Sequence, residues 1–230
     1  MSTLGELLRE MPVAAEECVI PIRAEKSART IDFPTDSIRD EQMHALVQKL
    51  FFRPEAGLVR NVGFTPVDES TRGAALCLEI ARTLSEEGKY DVGLIDASTG
   101  AVPLEQQLQI PAPPCAQVTW PVASRLWFVP RQSWWQEAGL QPVTDENLEQ
   151  LRGYMTEFDF SIMCCAPVSW LTARIAQSCD GVVLVLTANK TRRLVAAQIK
   201  ERLSKAQVPV LGTILVERRF PIPRGLYRSL

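Results

Sequence analysis

The sequence has few of the side chains that usually build a metal site or a disulfide framework. Its 230 residues include one histidine, His44, and six cysteines, none of which falls in a C-x-x-C pair. A zinc site is therefore not expected, because such sites need several cysteines or histidines at short, regular spacing. The adjacent Cys164 and Cys165 stand in the apolar run "FSIMCCAPV". We interpret them as small buried hydrophobic residues rather than as a redox pair.

The sequence also lacks a long hydrophobic run and a strong excess of charge of either sign. Its longest apolar runs, such as "GVVLVL", are far shorter than the roughly 20 residues of a membrane-spanning helix. The formal net charge is −2, which argues against a general nucleic-acid binder and against a polybasic membrane protein. The first residues, "MSTLGELLREM", carry acids among the leucines, unlike a secretory signal. We therefore expect a cytoplasmic protein without a membrane span.

What the sequence does contain, after Val59, is a regular alternation of short apolar runs and longer helical patterns. The predicted strands are "LVRNVGF", "YDVGLID", "RLWFVP", "FDFSIMCCAP", "DGVVLVLTA" and "VPVLGTILVE". Thr144 is the predicted N-cap of the helix "TDENLEQLRGYMTEF". The passage from Pro103 to Pro121 is predicted to be a helix fragment followed by a loop. This alternation predicts an α/β fold: a doubly wound, mostly parallel sheet with helices on both faces.

The absence of internal repeats and low-complexity linkers favours a single domain. We assign residues 58–230 to that domain, with 216–230 as a carboxyl-terminal tail. Residues 1–57 are predicted to be a leader that packs on the domain through one helix, "TDSIRDEQMHALVQKLFF".

The turn after the first predicted strand lies where many α/β proteins hold the phosphates of a nucleotide. A phosphate loop needs glycines whose backbone N–H groups converge on the anion, a lysine for the β- and γ-phosphates, and a hydroxyl residue for Mg²⁺. The turn "PVDESTRG" has one glycine, Gly73, and no lysine. Pro66 also lacks a backbone N–H. This turn is therefore poorly equipped to bind a triphosphate.

The order of these landmarks resembles the deviant P-loop ATPases, which include the chromosome-partitioning and septum-site ATPases. Within that group the chain looks most like the bacterial tyrosine kinases of capsule and exopolysaccharide synthesis. The segments that carry this resemblance are "CDGVVLVLTANKTRR", the helix "EQMHALVQKLFF" before the first strand, and the ending "VLGTILVERRFPIPRGLYRSL". The resemblance covers roughly residues 35–230 and implies a P-loop NTPase-like fold.

When the kinase pattern is aligned with this chain, it implies a phosphate loop that lacks the residues that bind phosphate and Mg²⁺. The vestigial loop comprises Ser70, Thr71, Arg72, Gly73, Ala74 and Ala75. The lysine of the family falls on Gly73, and its hydroxyl residues fall on Ala74 and Ala75. Alanine can neither ligate Mg²⁺ nor donate a side-chain hydrogen bond to a phosphate.

The resemblance implies the same loss at the two acidic motifs. Of the acidic pair after the second strand only Asp96 remains, since the second position is Ser98, and Cys164 takes the place of the aspartate in the third motif. Losing about 4 kcal/mol of contacts weakens binding roughly a thousandfold. We therefore expect no bound cofactor. The alternative is an atypical enzyme that binds ATP and Mg²⁺ through Arg72, Thr71 and Asp96. If the protein binds no nucleotide, we expect Arg72 to face solvent and Asp96 to stabilise a turn or cap a helix.

The features by which these kinases act on one another are also altered. Their carboxyl-terminal tyrosine cluster is reduced here to Tyr227, and their oligomerisation motif of one glutamate and two arginines reads Glu41, His44 and Val47. Ring formation through that motif is doubtful, although the helix that carries it can still contact a partner.

Two further segments are candidates for contacts with a partner. Arg218 and Arg219 begin the tail "RRFPIPRGLYRSL", which either wraps the domain or docks on an acidic or membrane-proximal partner. Trp134, next to Trp135, is a candidate for an exposed interface residue.

Together these observations predict a catalytically inactive relative of the bacterial tyrosine kinases. We expect a scaffold or regulatory partner in exopolysaccharide or capsule biosynthesis and export. It would bind the cytoplasmic segment of a membrane chain-length or export protein, or a kinase homologue, and no nucleic acid. The alternatives are an atypical ATP-binding tyrosine autokinase or ATPase of the same pathway, and an α/β partner-binding domain unrelated to polysaccharide.

Overall fold

The computed structural model describes residues 37–52, 58–68, 73–87, 89–99, 102–111, 119–135 and 142–217. The helices are α1 (Ser37–Phe51), α2 (Gly73–Glu86), α3 (Leu104–Gln107), α4 (Asp145–Thr156), α5 (Trp170–Ala176) and α6 (Arg193–Lys205). The strands are β1 (Asn61–Pro66), β2 (Val92–Ala97), β3 (Trp120–Ala123), β4 (Leu126–Val129), β5 (Phe160–Cys165), β6 (Gly181–Thr187) and β7 (Val210–Val216). A 3₁₀ turn, Arg131–Ser133, follows β4.

The strands form one seven-stranded sheet in the order β3-β4-β2-β5-β1-β6-β7. Only the β3–β4 pair is antiparallel; every other neighbouring pair is parallel. The predicted α/β fold with a mostly parallel sheet is therefore confirmed. Because β2, β5 and β1 are neighbours, the chain segments that leave their carboxyl ends lie side by side.

Helices cover both faces of the sheet, as the unbroken apolar runs of the central strands predict. Side chains of β5 alternate: Ile162 and Cys164 pack on the side of α1 and α2, whereas Met163 and Cys165 pack on the side of α4 and α5. This alternation follows from the two-residue repeat of a strand. Helix α6 lies on the same side as α5 and packs with it over β6.

Helix α1 is attached to the first of these faces. Val47 and Phe51 are fully buried, and the ring of Phe51 meets that of Phe160 edge-on with centroids 5.4 Å apart. Among the described helices, none combines the length and the apolar character that crossing a bilayer requires.

Strand β3 differs from the sequence expectation, which placed a loop there. Trp120 and Val122 point into the core, and the strand forms a hairpin with β4. Pro121 made this segment look like a loop, but proline is tolerated here because β3 lies at the edge of the sheet. The start of α4, in contrast, is as predicted: Thr144 caps it and forms a capping box with Asn147.

Candidate functional site

A cleft of about 610 Å³ opens where β1, β2 and β5 end and α2 begins. Its described lining residues are Pro66, Gly73, Ala74, Ala75, Ser98, Thr99, Leu104, Gln107, Leu108, Cys164, Cys165, Ala166 and Pro167. The hydroxyl of Thr65 donates a 2.7 Å hydrogen bond to the carbonyl of Ala166 and so ties the end of β1 to the segment after β5. None of the described lining side chains carries a charge; residues 69–72, which directly precede Gly73, lie outside the described residues.

The first turn of α2 has space for a Cβ at the position where the kinase pattern has its lysine. Gly73 is buried, and an added Cβ would lie 3.7–3.9 Å from the ring of Pro66, which is ordinary van der Waals contact. The backbone environment of this position therefore does not require glycine. Ala74 and Ala75 also line the cleft. Ser70, Thr71 and Arg72 lie outside the described residues.

Asp96, the remaining acid of the motif after β2, is fully buried. The backbone N–H of Ser98 donates to its Oδ1 over 2.8 Å, and the backbone N–H of Leu104 donates to its Oδ2 over 3.1 Å. Leu104 is the first residue of α3, so the carboxylate satisfies an N–H that has no partner within that helix. Both carboxylate oxygens therefore hold the loop between β2 and α3, and Asp96 is not among the described residues that line the cleft.

Cys164 is the register partner of Asp96 in the β2–β5 pair and lines the cleft. Burial raises the pKa of Cys77, Cys165 and Cys179 above that of an ordinary thiol. These groups are therefore neutral thiols. Cys164 and Cys165, which the sequence indicated as small hydrophobic residues, are both buried. Within the described ranges, no three or more histidine, cysteine or acidic side chains are placed to hold a metal ion.

Sequence reasoning missed a group of buried polar residues behind the cleft. Arg131 donates from Nη1 to the carbonyl of Ser98 over 2.8 Å, and its guanidinium lies 5.9 Å from the ring centroid of Trp135. Glu105 is buried on α3, and burial raises the pKa of its carboxyl, as does the nearby Asp96, while a backbone hydrogen bond and Arg131 act the other way. The position of Arg131 directly after the apolar run "RLWFVP" could have indicated a buried charged residue. No feature of the sequence indicated that Glu105 is buried.

The prediction that Trp134 is an exposed interface residue is wrong. Trp134 is 0% exposed and Trp135 5% exposed. The indole N–H of Trp134 donates to the carbonyl of Asp96 over 3.1 Å, and the ring of Trp134 packs with the side chains of α4. The tryptophan pair therefore forms part of the core under the loop after β2.

The remaining interaction candidates lie at separate places. Glu41 and His44 are exposed on α1, whereas Val47, the third position of the motif, is fully buried against the domain. The three positions therefore do not share one solvent-exposed face. Arg218, Arg219 and Tyr227 lie outside the described residues.

Neither protein-family models nor curated protein sequences match this chain. Several solved structures, in contrast, match this chain. The kinase domain of the Escherichia coli tyrosine kinase ETK matches with a TM-score of 0.66 at 16% identity, covering 86% of each chain. The VpsO kinase domain matches with a TM-score of 0.61 at 17% identity, covering 79% of this chain and 97% of the other. A chain of the MinC:MinD cell division complex from Aquifex aeolicus matches with a TM-score of 0.54 at 14% identity, covering 68% of each. The chain therefore has the P-loop α/β fold of these proteins; identities this low establish the fold alone.

Proposed function

We propose that this protein is a non-catalytic relative of the bacterial tyrosine kinases that acts as a scaffold or regulatory partner in exopolysaccharide or capsule biosynthesis. The observation that supports the proposal is the cleft at the carboxyl end of the sheet, whose described lining side chains carry no charge. In the kinase pattern this place holds a lysine, a magnesium-binding hydroxyl and acids; here it holds Gly73, Ala74 and Cys164. The remaining acid, Asp96, is bound to two backbone amides.

The loss of nucleotide binding is tested by thermal unfolding of the full chain with Mg-ATP and with Mg-ADP. A ligand at a hundred times its dissociation constant adds about 2.7 kcal/mol of stability. For a chain of this length, 1 kcal/mol shifts Tm by about 2–4 °C. We expect no shift at millimolar nucleotide. A shift of several degrees that Arg72→Ala removes would instead support the ATP-binding alternative, for which the cleft, at about 610 Å³, has a volume common among ligand pockets.

A gain-of-function variant serves as the positive control. Gly73→Lys with Ala74→Thr restores the cation and the hydroxyl, and at Gly73 the added Cβ would make ordinary van der Waals contact with Pro66. We expect this variant to acquire a measurable Tm shift with Mg-ATP, because charge-assisted contacts contribute about 1.5–3 kcal/mol each. Gly73→Ala with Ala74→Val changes the same positions without polar groups and is expected to remain unresponsive.

The partner we propose is the cytoplasmic segment of a membrane chain-length or export protein, or a kinase homologue, so the protein would act at the inner face of the membrane. The exposed surface of α1 with Glu41 and His44 is one candidate contact. Co-purification with such a segment tests this, with Glu41→Arg/His44→Glu as the interface variant. A gene neighbourhood without glycosyltransferases, a flippase or a polymerase would contradict the polysaccharide role.

A further inference from the structure

Four large apolar side chains are exposed at the start of α5, at the start of α6 and near the end of β7. Trp170 is 68% exposed, Leu194 69%, Leu215 51% and Val195 37%. Tryptophan and leucine are seldom left so accessible, and a cluster of them indicates a contact surface. These exposed side chains therefore indicate a surface that contacts another molecule.

The fold places the start of α5 and the start of α6 at the same end of the sheet. Helices α5 and α6 lie on the same face of the sheet, and each follows a strand whose carboxyl end is at the same end of the sheet. Trp170 is the first residue of α5, and Leu194 is the second residue of α6. Both side chains therefore lie at the carboxyl end of the sheet, on the same face.

Strand β7 completes this surface. Leu215 is the register partner of Leu186 near the end of β6, and the backbone N–H of Ala188 donates to the carbonyl of Val216 over 2.9 Å. Lys190, three residues before α6, lies 3.3 Å from the carboxylate of Glu217. The end of β7 is thus held against the turn that leads into α6.

The start of α6 also carries positive charge. Arg192 and Arg193 are exposed at the start of α6, and none of the ion pairs among the described residues neutralises either one. The chain that leaves at Glu217 continues with Arg218, Arg219, Arg224 and Arg228 and contains no acid. We call Trp170, Arg192, Arg193, Leu194, Val195 and Leu215 the basic apolar patch.

We infer that the basic apolar patch docks on an anionic lipid bilayer. Arginines near an anionic leaflet and apolar side chains in the headgroup region attract a protein to a membrane without spanning it, and tryptophan favours that interface. The other occupants fit less well. A second copy meeting patch to patch would bring arginines together, and the basic tail of this chain has the same sign of charge as the patch. The described lining of the cleft contains none of the patch residues, so the cleft does not offer an acidic peptide a groove at the patch. This inference does not depend on nucleotide binding.

The test is co-sedimentation of the full chain with vesicles of phosphatidylcholine containing phosphatidylglycerol, compared with vesicles of phosphatidylcholine alone. We expect binding to the anionic vesicles only, and its loss at high salt. Each arginine near an anionic surface contributes about a fivefold increase in partitioning, so Arg192→Ala/Arg193→Ala should lower binding about 25-fold. Trp170→Ser/Leu194→Ser should lower it about tenfold.

Two control variants change similar residues outside the basic apolar patch. Leu58 is 57% exposed just before β1, so Leu58→Ser removes a similar apolar group far from the patch. Lys200→Ala/Arg202→Ala removes two exposed charges farther along α6, about 10–14 Å from Arg193, which exceeds the Debye length of about 8 Å at physiological salt. Both controls should change binding less than twofold.

A second measurement tests whether the indole of Trp170 contacts the lipid. Quenching of tryptophan fluorescence by brominated lipid should come mainly from Trp170, because Trp120, Trp134 and Trp135 are buried. Trp127 is half-buried on β4, near the opposite edge of the sheet from β7. Trp170→Phe should therefore remove most of the quenching, whereas Trp127→Phe should leave it. Absence of vesicle binding, equal binding to neutral vesicles, or quenching that survives Trp170→Phe would overturn the inference. So would self-association that the patch variants abolish, or patch-dependent binding of polyglutamate that displaces the chain from vesicles.

Discussion

Asp96 offers a direct test of whether the buried acid after β2 is structural or is kept for a ligand. Its two carboxylate oxygens accept the backbone N–H groups of Ser98 and Leu104 at 2.8 and 3.1 Å. The perturbations are Asp96→Ala, which removes both acceptors, and Asp96→Asn, which keeps the shape of the side chain and one acceptor oxygen. The matched control is Ser98→Ala, since the hydroxyl of Ser98 is buried and has no hydrogen-bond partner among the described residues.

The expected magnitudes follow from these contacts. A hydrogen bond to a charged group contributes about 1.5–3 kcal/mol. Asp96→Ala should therefore lower the free energy of unfolding by about 3–6 kcal/mol, and Asp96→Asn by about half of that. The first value is a large part of the stability of a typical domain, about 5–15 kcal/mol. Ser98→Ala should stay within about 0.5 kcal/mol of the wild type, because its backbone N–H still donates to Asp96.

Urea unfolding of the three variants, followed by circular dichroism, measures these differences. The order of stability should be wild type equal to Ser98→Ala, then Asp96→Asn, then Asp96→Ala. A carboxylate held ready for a metal or substrate is commonly a burden on stability, and its removal then stabilises the protein. Unchanged or increased stability of Asp96→Asn would therefore refute the structural role.

Two further predictions concern groups whose pKa is raised by burial. For Glu105 the folded state binds the proton more tightly than the unfolded state, so its contribution to stability is lost as pH rises through the folded pKa. The stability of Glu105→Gln relative to wild type should therefore increase between about pH 4 and pH 7, and a difference that does not change with pH would contradict this. A chain with Cys18→Ser and Cys115→Ser retains Cys77, Cys164, Cys165 and Cys179. It should show no fast reaction with a disulfide reagent at mildly alkaline pH, because Cys77, Cys164 and Cys165 are buried and desolvation raises the pKa of Cys77, Cys165 and Cys179. Reaction should follow unfolding in urea, and fast labelling of the native chain would show that one of these cysteines is accessible.

The agreement between sequence and structure is closest where the signal is local. The strands β1, β2, β5, β6 and β7 and the helices between them follow from apolar runs and helical periodicity, and the Thr144 cap follows from residues three positions apart. The disagreements arise where a distant partner decides. Trp134 is buried because β2 supplies an acceptor for its indole N–H, and β3 is a strand because β4 supplies its hydrogen bonds.

The amino-acid sequence by itself determined the α/β class and showed that the first turn has no lysine, because periodicity and residue identity are properties of neighbouring positions. Tertiary structure alone decided that both oxygens of Asp96 bind backbone amides, that the cleft beside it has an uncharged described lining, and that Trp170, Leu194 and Leu215 are exposed. These relations join segments far apart in the chain. The physical reason is that hydrogen-bond partners and solvent exposure depend on which elements the fold places side by side.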